Sequence, residues 1–181
     1  QRWLVEESKN RGLIIGPDVA KYLVERVGPN QLQLDSELEK LLLQDTPITK
    51  AVIEELVEQT PQSKIFDMLD ALFSGSPEKA QELYNDQRAQ GEEPQKILAM
   101  ITWQLQQLTL AVFAPTKSVD VLTKAGMSPY SAQKALQMAR HITPSDLKYY
   151  ITELAEIDAM SKTNADIESA LNVYFNEISK A

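Results

Sequence analysis

Proline and glycine cut this 181-residue chain into helical lengths and leave little room for strands. Pro17, Pro77, Pro94, Pro129 and Pro144 each open an apolar pattern. There the missing N–H costs nothing and the fixed φ already suits a first helical turn. Gly16, Ser76, Ser128 and Thr143 precede four of them, and all four are N-cap residues. Thr143-Pro144-Ser145-Asp146 also places an acid at the third helical position, as a capping box requires. Gly12, Gly28, Gly75, Gly91 and Gly126 follow apolar patterns directly, where helices stop.

Between these marks the apolar residues recur at three and four. Ile53, Leu56 and Val57 share a face, as do Ile65, Met68, Leu69 and Leu72. In the longest segment, Ile97, Ile101, Leu105, Leu108 and Val112 form one stripe, and Met100, Trp103 and Leu110 widen it beyond a single face. Further stripes run through Leu147, Tyr150, Ile151 and Leu154, and through Ile167, Leu171, Tyr174 and Ile178. Sustained period-two alternation and hairpin turn signals are absent, so the pattern predicts an all-α chain of about nine helices. No fixed repeat supports a solenoid.

The polar run Gln59-Thr60-Pro61-Gln62-Ser63 marks a domain boundary, giving a small helical domain over 1–60 and a helical bundle over 61–181. The chain opens at Gln1 with an apparent helix already under way in Arg2-Trp3-Leu4-Val5, which reads as a piece of something longer. No cysteine is present, so disulfides, thiolate nucleophiles and cysteine metal sites are excluded, and a reducing cytoplasm is the expected compartment. Even Ile97 to Phe113 is interrupted by Thr102, Gln104, Gln106 and Gln107, so no membrane span is expected, and no signal peptide is evident.

One stretch narrows the reading from a fold to a family. Ile65-Phe66-Asp67-Met68-Leu69-Asp70-Ala71-Leu72-Phe73-Ser74-Gly75 is followed by Ala80, by Gly91-Glu92-Glu93-Pro94-Gln95-Lys96-Ile97-Leu98, and by Trp103-Gln104. Earlier come Leu32-x-Leu34, Glu37-Leu38-Glu39-Lys40-Leu41 and Ile48-Thr49-x-x-Val52; later, Leu147 to Asp158 leads to Ser161-Lys162. No single motif is specific, but their order and spacing resemble the delta subunit of the bacterial DNA polymerase III clamp loader.

The resemblance covers the helical lid and the helical collar of that family, and not its N-terminal module of ATPase fold. It implies a structural fragment without a catalytic site or cofactor, nucleotidyltransferase activity residing in other subunits of the holoenzyme. The collar would assemble with the tau/gamma and delta-prime subunits, so that the complete subunit can open the sliding clamp and load it on primed DNA. The clamp itself would be met only through the absent N-terminal module. Consistent with a non-catalytic fragment, the Gly-x-x-x-x-Gly-Lys-Ser/Thr phosphate loop is missing from the chain.

Trp103 and Phe113 are the candidates for reaching a partner, since large aromatics often anchor interfaces; the alternative is that both fill the core. The net charge of −8 argues against unspecific coating of DNA. Between Pro115 and Tyr150, however, Lys117, Lys124, Lys134, Arg140 and Lys148 outnumber Asp120 and Asp146, which makes these five the candidates for contact with primed DNA; the alternative is ordinary scatter of charge over a solvated surface.

Catalytic alternatives lack material. His141, the single histidine, follows a helix end where a cation suits the dipole. The carboxylates Glu54, Glu55 and Glu58, and Glu92 with Glu93, lie on faces that read as solvated. Asp158 stands four residues before Lys162, the favourable order for a helical ion pair. A functional reading from another class is a helical adaptor, unrelated to replication, that binds a partner helix or peptide in an apolar groove.

Overall fold

A computed structural model describes residues 2–44, 46–162 and 166–178. These residues form eleven α-helices and no strand: α1 (Arg2–Asn10), α2 (Pro17–Val27), α3 (Gln31–Leu41), α4 (Lys50–Leu56), α5 (Pro61–Phe73), α6 (Pro77–Ala89), α7 (Pro94–Phe113), α8 (Val119–Lys124), α9 (Pro129–Met138), α10 (Pro144–Ser161) and α11 (Ile167–Ile178). The count exceeds the nine or so expected in part because α8 has only six residues, under two turns of pattern.

All five prolines stand at the first helical position, and Pro61 opens α5 in the same way within the polar run expected to separate domains. The caps divide into two kinds. Ser128 Oγ accepts from the Ser131 N–H at 3.0 Å, and Thr143 with Asp146 closes a reciprocal capping box; Gly16 and Ser76 make no side-chain cap. At the other ends, Gly75 (φ 80°) lets the Ser76 N–H reach back to the Ala71 carbonyl at 2.9 Å. Gly91 (φ 86°) does the same for Glu92 and Gln87 at 3.1 Å. Both are Schellman stops, which satisfy carbonyls that a helix end leaves free. The Asp-Ala-x-x-x-Gly order of the sequence is therefore a helix terminator.

Backbone contacts group the residues into two compact units, 1–63 and 64–181, with the division falling inside α5. Unit 1 buries Leu4, Leu23, Leu38, Leu41 and Ile53 completely among α1 to α4. Arg11 joins the end of α1 to Asp35 on α3, and Thr49 caps α4 by accepting from the Val52 N–H. Leu56 departs from the expected shared face: it is exposed, while Ile53 and Val57 are buried. Leu32, in the family-like Leu32-x-Leu34 pair, also points outward.

Unit 2 is built on α7, twenty residues long, which packs against α9, α10 and α11. The main core joins Ile65, Met68 and Leu69 of α5, Tyr84 of α6, Ile97, Ile101 and Leu105 of α7, and Leu171 and Phe175 of α11. Tyr84 lies against Phe175 with centroids 5.2 Å apart, and Phe73 stacks on Tyr150 at 5.0 Å. The Tyr174 hydroxyl donates to the Tyr150 carbonyl at 3.2 Å, and its burial pushes the phenol far above its usual range. A second, smaller cluster of Ala111, Leu122, Met127, Ala132 and Ala135 fastens α8 and α9 to the end of α7.

Candidate protein–protein interface

Helix α7 carries no charged side chain from Ile97 to Phe113. At the chain's 24% charged residues, a run of seventeen would ordinarily carry about four. Such a helix need not advertise an interface if all of it is enclosed, yet α7 is not. Ile97, Leu98, Ile101, Gln104, Leu105, Leu108 and Ala111 form its buried arc. Ala99, Trp103, Gln106, Leu110 and Phe113 are exposed. At 100° per residue those five fall within a sector of about 80°, so they make one continuous stripe. Trp103 is 38% exposed, Leu110 42% and Phe113 62%. Phe113 is thus mostly exposed and Trp103 only partly so, and Leu110, which widens the apolar stripe beyond one face, lies on the outer arc.

The polarity of α7 is inverted at one pair of neighbours. Trp103 faces water, whereas Gln104 faces the core, 3% exposed, with its Nε2 lacking a partner among the described residues. An amide buried in this way costs free energy that an apolar residue would not.

Beside the stripe, α7 and α10 leave a groove of about 180 Å³. Leu105 and Leu154 are its buried floor. Thr102 and Gln106 form one wall, Ile151 and Ala155 the other, and among the described residues Asp158 is the only charged one that lines it. The Thr102 hydroxyl donates to the Leu98 carbonyl at 2.8 Å, so that wall offers mainly its methyl group. Asp158 pairs with Lys162 at 3.0 Å in the open, the ion pair expected from their spacing.

The five basic candidates separate. The Lys117 ammonium donates to the carbonyls of Ala111, at 2.7 Å, and Val112, and so caps the C-terminus of α7. Lys134 is half-buried on α9. Lys124, Arg140 and Lys148 are exposed, and no ion pair engages them among the described residues. His141 is exposed just beyond α9. Among the described residues no group of three or more carboxylate or imidazole side chains could hold a metal ion. Glu54 accepts from the Tyr22 hydroxyl at 2.6 Å and Glu92 pairs with Lys96 at 2.6 Å. No described helix is long and apolar enough to cross a membrane.

A family model described as DNA polymerase III delta subunit, C-terminal domain, matches residues 62–176. The chain belongs to this family. The match extends over α5 to α10 and most of α11, so the α7 stripe lies wholly within the delta C-terminal domain. The DNA polymerase III subunit delta of Bacillus subtilis (strain 168) is 23% identical over 165 residues, which are 88% of this chain and 48% of that protein. The Bacillus subtilis DNA clamp loader delta protein, a solved structure, has the same fold: the TM-score is 0.91 at 22% identity, over 99% of this chain and 55% of that one. This delta-family chain thus spans about half the length of the relatives it matches.

Proposed function

We propose that this chain is the assembly part of a clamp-loader delta subunit, with residues 1–60 as a helical lid and 61–181 as the collar. The observation that carries the reading is the uncharged outer stripe of α7 within the delta C-terminal domain. Through it the collar packs beside the collars of the tau/gamma and delta-prime subunits in the cytoplasm. The complete subunit can then open the sliding clamp and load it on primed DNA. Chemistry resides in other subunits, and this chain contributes geometry. An adaptor unrelated to replication loses its premise once the chain belongs to the delta family.

The test is the native mass of this chain by light scattering behind a sizing column, alone and mixed with the tau/gamma subunit of the same organism. Assembly produces a species heavier than either component. Independent elution at concentrations of tens of micromolar contradicts it.

A contribution to DNA binding is a second reading, favoured by the exposure of Lys124, Arg140 and Lys148 and by their having no ion pair among the described residues. Lys117 drops out because its ammonium is spent on α7, and Lys134 is only half exposed. Replacing the three free cations by Ala should lower the slope of log affinity against log salt for primed DNA by up to about 2 to 3 in the assembled loader. An unchanged slope removes these residues from the DNA path.

A further inference from the structure

The outer stripe of α7 is too small to hold a partner alone. From Gln95 to Phe113 it is about 27 Å long and about 10 Å wide, on the order of 270 Å² in plan. A specific interface buries about 800 Å² on each side. The contact must therefore spread to a neighbouring helix, and the structure offers a direction. Gln106 belongs both to the stripe and to the wall of the α7–α10 groove, so the two surfaces are continuous. Along that path the surface turns concave over Leu105 and Leu154 and stays uncharged until Asp158.

We infer that the α7 stripe and the α7–α10 groove form a single seat for one helix of a neighbouring clamp-loader subunit. That helix inserts an apolar side chain over Leu105 and Leu154 and sets a Lys or Arg against Asp158. The inference rests on the assembly reading above and deepens it. The groove supplies the hole that a ridge-forming side chain needs, with Ile151 and Ala155 grasping it from α10. The charge requirement follows from Asp158 being the one ionised group among the described residues that line the groove. An acidic partner residue there would be repelled, while a basic one would replace or join Lys162 at the carboxylate. A helix with a large apolar residue and a cation one or two turns away satisfies both conditions; an acidic peptide or a nucleic-acid strand satisfies neither.

Two substitutions outside the stripe test this. Ala155→Trp fills the groove from α10, at an exposed position that leaves the fold intact. Asp158→Lys reverses the rim charge. Dissociation constants are measured by calorimetry against the tau/gamma subunit of the same organism, at low and at high salt, with thermal melts confirming that each variant folds. Ala155→Trp should weaken binding by about 30-fold or more. Asp158→Lys should weaken it by about 10-fold at low salt and less at high salt. If wild-type chain binds and both variants stay within about threefold of it, the groove is not in the seat, and assembly stands without it. If wild-type chain does not bind, the assembly reading and this inference fall together. Should Ala155→Trp fail to fold, the charge reversal alone decides: no salt-dependent loss overturns the proposal.

Discussion

Unit 1 exposes its aliphatic side chains more completely than unit 2 does, yet the interface we propose lies on unit 2. Ile14, Leu32 and Leu43 are 87%, 83% and 81% exposed, against 53% for Val173 and 42% for Leu110. The unit 1 residues stand apart: Ile14 in the loop after α1, Leu32 at the start of α3 and Leu43 just past its end. Between the last two lie Asp35, Glu37, Glu39 and Lys40. Apolar residues scattered among charges are ordinary surface, whereas a contiguous patch is not. Alignment on one helix face, with no charge in between, is what separates α7 from α3.

The contrast can be broken experimentally, and the largest effect should come from the buried arc of α7. Ile101→Ala removes a fully buried side chain from the main core and should cost about 2 to 5 kcal/mol of stability, read by denaturant unfolding. On the outer arc, Leu110→Glu should weaken binding to the tau/gamma subunit by about 30-fold or more while moving the stability of the isolated chain by only about 0.5 kcal/mol. Equal losses of stability from both substitutions would erase the distinction between the arcs. Gln104→Leu replaces the unpartnered buried amide by an apolar side chain and should raise stability by about 1 to 2 kcal/mol. The smallest effect belongs to unit 1: Leu32→Ser should change stability by no more than about 0.5 kcal/mol and leave partner binding unaltered.

A dependence on pH sharpens the reading of α10. The Thr143 backbone N–H, which donates to the Asp146 carboxylate at 2.9 Å, and after it the Thr143 side chain hold the Asp146 carboxyl below the usual carboxylate range. Its contribution is complete above the unfolded carboxyl's ordinary range and disappears as pH falls through the lowered folded value. Asp146→Asn should therefore lose less stability than the parent chain between neutral and strongly acidic pH. Parallel loss in the two proteins would show that the capping box adds nothing measurable.

The helices of both units were legible because their boundaries are chemical. Proline at a first turn and glycine beyond a last one act locally, so the starts of α2, α6, α7, α9 and α10 could be read without tertiary information. Helix α8 was not, because six residues cannot display a period. The family could be read from residue order, with Asp70-Ala71 and Gly75 now explained as a Schellman stop.

The candidate interface was legible only in part. Trp103 and Phe113 were singled out by residue type, but the side each faces depends on which neighbours α7 finds, a long-range outcome that periodicity cannot settle. The Trp103-Gln104 pair shows the reason: hydropathy alone would reverse them, and it is the packing of Ile101, Leu105 and Leu108 that turns Gln104 inward. The groove between α7 and α10 was beyond reach for the same reason, since its two walls are some fifty residues apart in the chain. The bonds from Lys117 to carbonyls five and six residues back leave no composition signal, so sequence alone could not separate it from the other four cations.

The central claim is that the uncharged outer face of α7 is where this chain meets its neighbours in a clamp loader. Amide hydrogen exchange, followed by mass spectrometry on the chain alone and in complex with the tau/gamma subunit, tests it most directly. The account predicts slowed exchange in peptides spanning Pro94 to Phe113 and Ile151 to Asp158, with peptides across α3 unchanged. Protection confined to α1 through α4, with α7 exchanging as it does in the free chain, would contradict it.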